Sequence, residues 1–399
     1  MKYELYKLFR KKTVLVILAI GLLWLIAMPV ANALQYKTVT EDMVQLKGFS
    51  AIRYDRSLQN TFSGRLPLDK LQELWNEAQA IQAEVETGNE DARWQKLNRY
   101  TVVLSVGGRT YYLPLYVHDA KESGDLSEIY AGTIYLLPGE DTLVPNADPS
   151  SPIVQKVLKT YDDLEYPLYG AYMGGWGDFC NMIPTFFQYV LGILIVIGVT
   201  PLFADETSTG IAVILLTTRY GKSRMLRNKV LAAMLYAMII FVLFAAAAIT
   251  TQLCIYGTTS LNASIQLINW KSPYNMSIGG TLGLWVLFGL LASVTTAALT
   301  MLLSAIANNA FTAFIPAALV YILPSFSYAG LSPALHRTMK LLPASVIGNI
   351  DTLFAAADYY SIMGLLIDRK ILIILCSMLL TVLCSYMAIW FYKHRVPQN

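Results

Sequence analysis

Residues 184–204 read PTFFQYVLGILIVIGVTPLFA, 21 positions without an Asp, Glu, Lys or Arg. That length matches the ~20 residues an α-helix needs to cross a hydrocarbon core, where each backbone amide must be satisfied within its own segment. Five more uncharged runs, 13–34, 230–256, 279–306, 310–330 and 371–392, pass the same test. Composition agrees: the 399 residues are 55% hydrophobic and only 14% charged, with a mean hydropathy of +0.47, whereas a soluble domain carries about 25% charged residues. A soluble enzyme is excluded. The net charge of +3 is too small to point to nucleic acid, and no nucleic-acid partner is expected. The expected fold class is an all-α polytopic membrane protein, with six transmembrane helices and a small α+β extracellular domain between helices 1 and 2.

The run 13–34 follows Lys2, Lys7, Arg10, Lys11 and Lys12 and is longer than a signal-peptide core; with Pro29 and Asn32 in its last turns it reads as a retained anchor. Basic residues in short loops mark the cytoplasmic side. The N-terminus carries those five, the loop 205–229 carries Arg219, Lys222, Arg224, Arg227 and Lys229, and Lys393 and Arg395 follow the last run. Six spans put all three segments on one side, so both termini are expected in the cytoplasm. Arg337, Lys340, Arg369 and Lys370 oppose this, since the same model puts their loop outside.

Residues 35–183 then form the extracellular domain. Positions 35–182 hold 21 Asp and Glu against 13 Lys and Arg. Leu68, Leu71, Leu74, Trp75, Ala78, Ile81 and Val85 recur at helical spacing. Thr101–Val106 and Arg109–Val117 flank Gly107-Gly108, which predicts a β-hairpin. A strand over 129–137 and a helix over 153–164 complete the expectation. Residues 1–12 predict an amphipathic interfacial helix with Met1, Leu5, Leu8 and Phe9 on one face. Residues 331–369, broken by Pro333, Pro343 and Gly348, predict short helices at the outer interface. Cys180 and Cys254 either pair or remain two free thiols; the four cysteines are too scattered for a zinc site. His118, His336 and His394 lie in separate loops.

None of the five later runs contains a carboxylate, Lys, Arg or His. Ion-coupled carriers hold such groups at membrane depth, so transport driven by this chain alone is disfavoured. Gly221-Lys222-Ser223 mimics the end of a phosphate-binding loop, but Leu216 stands where its first glycine belongs and no strand precedes it. The chain is therefore expected to bind no cofactor itself.

The loop after the second run is the most informative segment. It reads Phe203-Ala204-Asp205-Glu206, then Thr207-Ser208-Thr209-Gly210, then Ile211-Ala212-Val213-Ile214-Leu215-Leu216, and then a basic stretch to Lys229. A short helix starting near Glu206 would set acids at its positive end and Arg219 and Lys222 beyond its negative end. The pattern Phe203-x-x-Glu206-x-x-x-Gly210, followed by Leu215-Leu216-Thr217-Thr218, resembles the permeases of bacterial type-two ABC exporters. The resemblance covers most of the spans but not 35–182.

It implies that the segment matching Asp205–Thr218 is a coupling helix seated on a separate ATPase subunit. Glu206, Gly210, Ile211, Leu215 and Arg219 would dock, supported by Lys222, Arg224 and Arg227. It also implies two ATPase copies holding ATP and magnesium, and a second permease copy in a homodimer within the plasma membrane. Gln188, Thr251, Gln252, Thr296 and Thr300 are neutral polar residues able to line a path or to bond between helices. The surrounding Met, Phe and Leu favour an amphipathic cargo, such as a peptide toxin or bacteriocin of the kind moved by the similar phenol-soluble modulin exporters. Drug, lipid and lipid-linked glycan remain open as cargo. A membrane-anchored sensor or scaffold with a ligand-binding outer domain is the alternative.

Overall fold

The computed structural model describes residues 2–85, 96–123, 152–218, 221–270, 272–326, 332–348, 353–354 and 357–394. Five helices among them are long and apolar enough to cross a membrane, which makes this a membrane-embedded, predominantly helical protein. A short α1 (Lys2–Phe9) precedes α2 (Lys12–Gln35), the first of the five. A small hairpin of β1 (Lys37–Val39) and β2 (Gln45–Lys47) follows, then α3 (Phe49–Gln59), α4 (Leu68–Val85), α5 (Thr101–Ser123) and α6 (Pro152–Asp162).

The second long helix, α7, runs from Trp176 to Ser208, ~50 Å at 1.5 Å per residue. It contains a π-helical turn at Phe187–Leu191 and Pro201 near its end. After α8 (Ile211–Thr217) come α9 (Leu226–Tyr256), α10 (Ile278–Ile306) and α11 (Ala310–Ile322). Short helices α12 (Pro333–Met339) and α13 (Pro343–Ile347) lead to β3 (Tyr359–Ile362), β4 (Leu365–Asp368) and the last long helix, α14 (Arg369–His394).

Packing explains the order of the bundle. Around α7, Phe187 meets Trp285 at 5.1 Å, Phe241 at 5.6 Å and Phe244 at 6.1 Å between ring centroids, all buried. Glycine makes room for these rings: a Cβ on Gly289 would overlap Phe241, and one on Gly192 would overlap Tyr321. In lipid, such packing and interhelical hydrogen bonds hold helices together, since apolar burial from water is already spent on insertion. Thr295 illustrates the second kind, reaching the Ser377 carbonyl at 3.2 Å and the Thr381 hydroxyl at 3.0 Å on α14.

Pro201 has no N–H to give to α7, and Ser304 of α10 binds the backbone groups beside it. Its hydroxyl accepts from the Phe203 and Ala204 amides at 3.1 Å each and donates to the Thr200 carbonyl at 2.5 Å.

Three expectations change. Residues 101–123 form one helix and not a hairpin, because Gly107 is a seat for a ring: a Cβ there would overlap Trp75 of α4. The apolar run 310–330 forms a 13-residue α-helix closed by a 3-10 turn at Leu323–Phe326. The two together are shorter than the five long helices. The second uncharged run is the middle of a longer helix that begins at Trp176 and ends at Ser208. Residues 129–137 lie outside the described residues. All four cysteines are free, with Cys180 buried and Cys254 exposed.

Between α2 and α7 the chain builds a subdomain around a buried carboxylate. Asp55 of α3 accepts from the Tyr36 hydroxyl at 2.6 Å, the Thr38 hydroxyl at 2.8 Å and the Asn98 amide at 2.6 Å. Gln59 in turn donates to Asn98 at 2.6 Å. Arg109 of α5 ties this subdomain to the loop after α9 by donating to the Gln266 and Leu267 carbonyls. The hairpin β3–β4 turns through Met363 and Gly364, both at positive φ (52° and 83°), as a two-residue type I′ turn requires.

Candidate functional site: an ionic hub beneath an exposed apolar helix

Two acids close α7 and one lysine opens α9. Asp205 and Glu206 sit in the last turns of α7, at the negative end of its dipole, where carboxylates are disfavoured unless cations compensate. Compensation comes from two other elements. Lys229, fully buried one turn into α9, donates to Glu206 Oε1 at 2.6 Å, to the Leu202 carbonyl at 3.1 Å and to Glu4 of α1 at 3.4 Å. Lys7 of α1 reaches Glu206 at 3.3 Å. Tyr392, near the end of α14, donates its hydroxyl to Glu206 Oε2 at 2.9 Å.

One carboxylate thereby joins α1, α7, α9 and α14. The Phe203 ring lies 4.7 Å from that of Tyr392 and 5.6 Å from the Lys229 ammonium, which seals the hub on its apolar side. Lys11 pairs with Asp205 at 3.5 Å; burial holds its ammonium below the ordinary lysine value, against the opposing pull of Asp205. The α1 helix is consequently packed on the bundle through Leu8 and through Phe9, whose ring lies 5.0 Å from Tyr236.

Beyond the hub, Thr209 and Gly210 turn the chain. Gly210 adopts φ +71°, a left-handed conformation that costs other residues roughly 1–2 kcal/mol. The seven-residue α8 follows, with Ala212 and Leu216 facing inward. Its other face is bare: Ile211, Val213 and Ile214 are 47, 49 and 67% exposed. Arg224, just before α9, and Arg227, in its first turn, are exposed.

The docking residues expected from sequence thus divide. Gly210 and Ile211 lie at the surface, Leu215 is half-buried and Arg224 and Arg227 are exposed. Glu206 is buried, at 6% exposure, with its oxygens held by Lys229, Lys7 and Tyr392. The short helix begins at Ile211 and not near Glu206, so the acids end one helix and do not start another. Arg219 and the side chain of Lys222 lie outside the described residues. Sequence reasoning missed Lys229 as part of a site. The available signal was its position immediately before the run 230–256, matching Glu206 just after 184–204 on the neighbouring antiparallel helix.

The five expected path residues are not brought together. Thr296 and Thr300 are buried and donate to carbonyls four residues back in their own helix, both at 2.8 Å. Gln188 lies in the π-helical turn, where its side chain packs against Gly348 and its carbonyl accepts from the Tyr321 hydroxyl at 2.8 Å. Thr251 is half-buried, while Gln252 lines a groove at the opposite end of the bundle. Among the described residues no cluster of His, Cys, Asp and Glu is arranged to hold a metal.

Comparison with protein-family models, with curated proteins and with solved structures returns no match for this chain.

Proposed function

We propose that the chain is the membrane subunit of an ATP-driven exporter, with α8 as the handle through which a separate ATPase subunit moves the bundle. On this reading both termini and α8 face the cytoplasm of a bacterial cell. The chain crosses the plasma membrane six times, the fifth crossing made by α11 and the short segments after it. A second copy completes the transporter, two ATPase subunits carry ATP and magnesium, and the cargo is amphipathic.

The observation that carries this reading is the bare face of Ile211, Val213 and Ile214, set just beyond a hub that clamps four helices. An apolar patch of that kind at the polar end of a bundle is left for a partner. A force on α8 passes through Gly210 into α7 and through the π-helical turn Gly221–Met225 into α9. The scarcity of ionisable groups in the middle of the long helices supports an external energy source.

The test is tagged purification of the full-length protein from its native membranes. A stoichiometric subunit that hydrolyses ATP is expected, lost in Ile214→Asp and retained in Tyr3→Ser at the exposed face of α1. Purification without such a subunit from the intact chain overturns the assignment. Cysteine labelling of Thr217→Cys in whole cells checks the orientation independently, because labelling by an impermeant reagent would place α8 outside.

A further inference from the structure

The other end of the bundle holds a groove whose polarity changes along its length. Asp178 and Glu206 are separated by ~42 Å along α7 at 1.5 Å per residue, more than the ~30 Å of a hydrocarbon core. The groove and the ionic hub therefore sit at opposite membrane faces. Three segments form this open groove: the end of α2, the end of α9, and the start of α7 running antiparallel to both.

The registers of α2 and α7 match. Trp24 stacks on Phe186 with centroids 4.5 Å apart and planes 6° from parallel. Eight residues on in α2 and eight back in α7, the Asn32 amide donates to the Asp178 carboxylate at 3.4 Å. Met28 and Met182 lie midway between these two contacts on their helices and line the groove, together with Phe179. The walls thus run over ~12 Å from an aromatic base through methionines to a carboxylate rim, where Gln252 and Tyr256 of α9 supply the third side.

The rim carries negative charge. Among the described residues Asp178 has no ion pair, and its hydrogen-bond partner is the neutral Asn32. Arg56, the nearby cation, packs against Gly257 and is not part of the lining. Gln252 donates to the Gly174 carbonyl at 3.4 Å, which turns its own carbonyl oxygen into a spare acceptor. Apolar, methionine-rich walls adapt to varied chain shapes, while acceptors gathered at one end select a donor-rich, positively charged head.

From this geometry we infer that the groove binds a single-chain amphiphile with a cationic ammonium head, its tail against Trp24, Met28 and Met182 and its head at Asp178 and Gln252. Its role as a cargo site rests on the export reading; its occupancy does not, and can be measured without any ATPase present.

The probe is dodecylammonium, with dodecanol and dodecyl sulfate as uncharged and anionic counterparts. Saturable binding is measured on the full-length protein in phosphatidylcholine nanodiscs, with empty nanodiscs subtracted. Dodecylammonium is expected to bind about tenfold more tightly than dodecanol, and dodecyl sulfate more weakly than both. Asp178→Asn should bring the ammonium-to-alcohol ratio close to one while dodecanol binding persists, which shows the groove intact. Met28→Trp should abolish both. A preference for ammonium that survives Asp178→Asn, or no saturable binding to the wild-type protein, overturns the inference. So does loss of dodecylammonium binding when phosphatidylethanolamine is added to the nanodiscs, because the groove would then belong to a bilayer lipid.

Discussion

Replacing Lys229 by methionine keeps the length of the side chain and removes its charge. The structure sets the size of the effect. Lys229 is fully buried and all three of its donors are engaged, with Glu206 at 2.6 Å, the Leu202 carbonyl at 3.1 Å and Glu4 at 3.4 Å. Removing one partner of a buried ion pair leaves the other charged and desolvated, at a cost of about 3–5 kcal/mol. Here Lys7 at 3.3 Å and Tyr392 at 2.9 Å still hold the Glu206 carboxylate, and Lys7 is 39% exposed, so its help is partly screened. The lower end of the range, about 3 kcal/mol, is expected. Glu206→Leu alone should cost a similar amount, because it strands the lysine. The double variant Glu206→Leu/Lys229→Met removes both charges and should cost less than either single change. Equilibrium unfolding of the purified protein in mixed micelles, titrated with dodecyl sulfate, measures all three. Single costs that simply add in the double variant would refute the claim that these two side chains form one buried unit.

Asn98→Ala should destabilise the subdomain between α2 and α7 by about 2–4 kcal/mol, since it deprives buried Asp55 and Gln59 of a partner at 2.6 Å each; thermal unfolding and limited proteolysis of this region report it. Gly210→Ala should cost about 1 kcal/mol through backbone strain alone, because φ is +71° and a Cβ there meets nothing within 4 Å. Gly210→Asn should recover part of that loss in the same unfolding assay. Burial lowers the Lys340 ammonium to about 8, opposed by the pull of Asp358. The unfolded chain then binds the extra proton between about pH 8 and the ordinary lysine value, so this group's penalty is complete below pH 8 and relieved as pH rises through that window. Lys340→Met should flatten the rise in melting temperature there, and an unchanged pH profile would rule the group out. Ser304→Ala should speed amide exchange at Phe203 and Ala204, whose N–H groups it caps, and leave residues 192–196 unaffected; hydrogen exchange by mass spectrometry reads both segments.

The long helices were legible because lipid admits so few alternatives: an uncharged run of 20 or more residues has to be a helix. Their ends were not legible by the same logic. Counting charges stops a span at its first ionisable residue, yet Glu206 and Lys229 continue α7 and α9 because each neutralises the other across 23 residues of sequence. Gly107-Gly108 misled for a related reason. Glycine in sequence signals a turn, and only the arrival of Trp75 from α4 shows that these glycines are a surface for a ring. In the site, the apolar run Ile211–Leu216 was visible in the sequence, but that one face of it is bare came only from the structure. The hub was not visible there, since its five contributing side chains come from four separate elements. The groove depended on a register between α2 and α7 that no local pattern encodes.

On the export reading, the hub changes what a push on α8 would do. A docking acid at the surface would pass force to one helix, whereas a buried Glu206 held by Lys229, Lys7 and Tyr392 makes the adjoining ends of α1, α7, α9 and α14 move as one body. Displacement can then reach the far end only along the continuous helices. In α7 three irregularities lie between the hub and the Asp178 rim: Pro201, with Ser304 bound beside it, the π-helical turn Phe187–Leu191, and Pro184 just before that turn. The first is braced by three hydrogen bonds to a neighbouring helix. The second is held through the Gln188 carbonyl by Tyr321 of α11, the shorter apolar helix. A bend is therefore easier over Pro184–Leu191, where a proline adjoins the π-helical turn, and Phe186, which stacks on Trp24 at the base of the groove, lies within that stretch. On the export reading, the step that reshapes the groove is a change at Pro184–Leu191 that carries Phe186 away from Trp24. The ionic hub would supply rigidity to that step, and the gate would lie elsewhere.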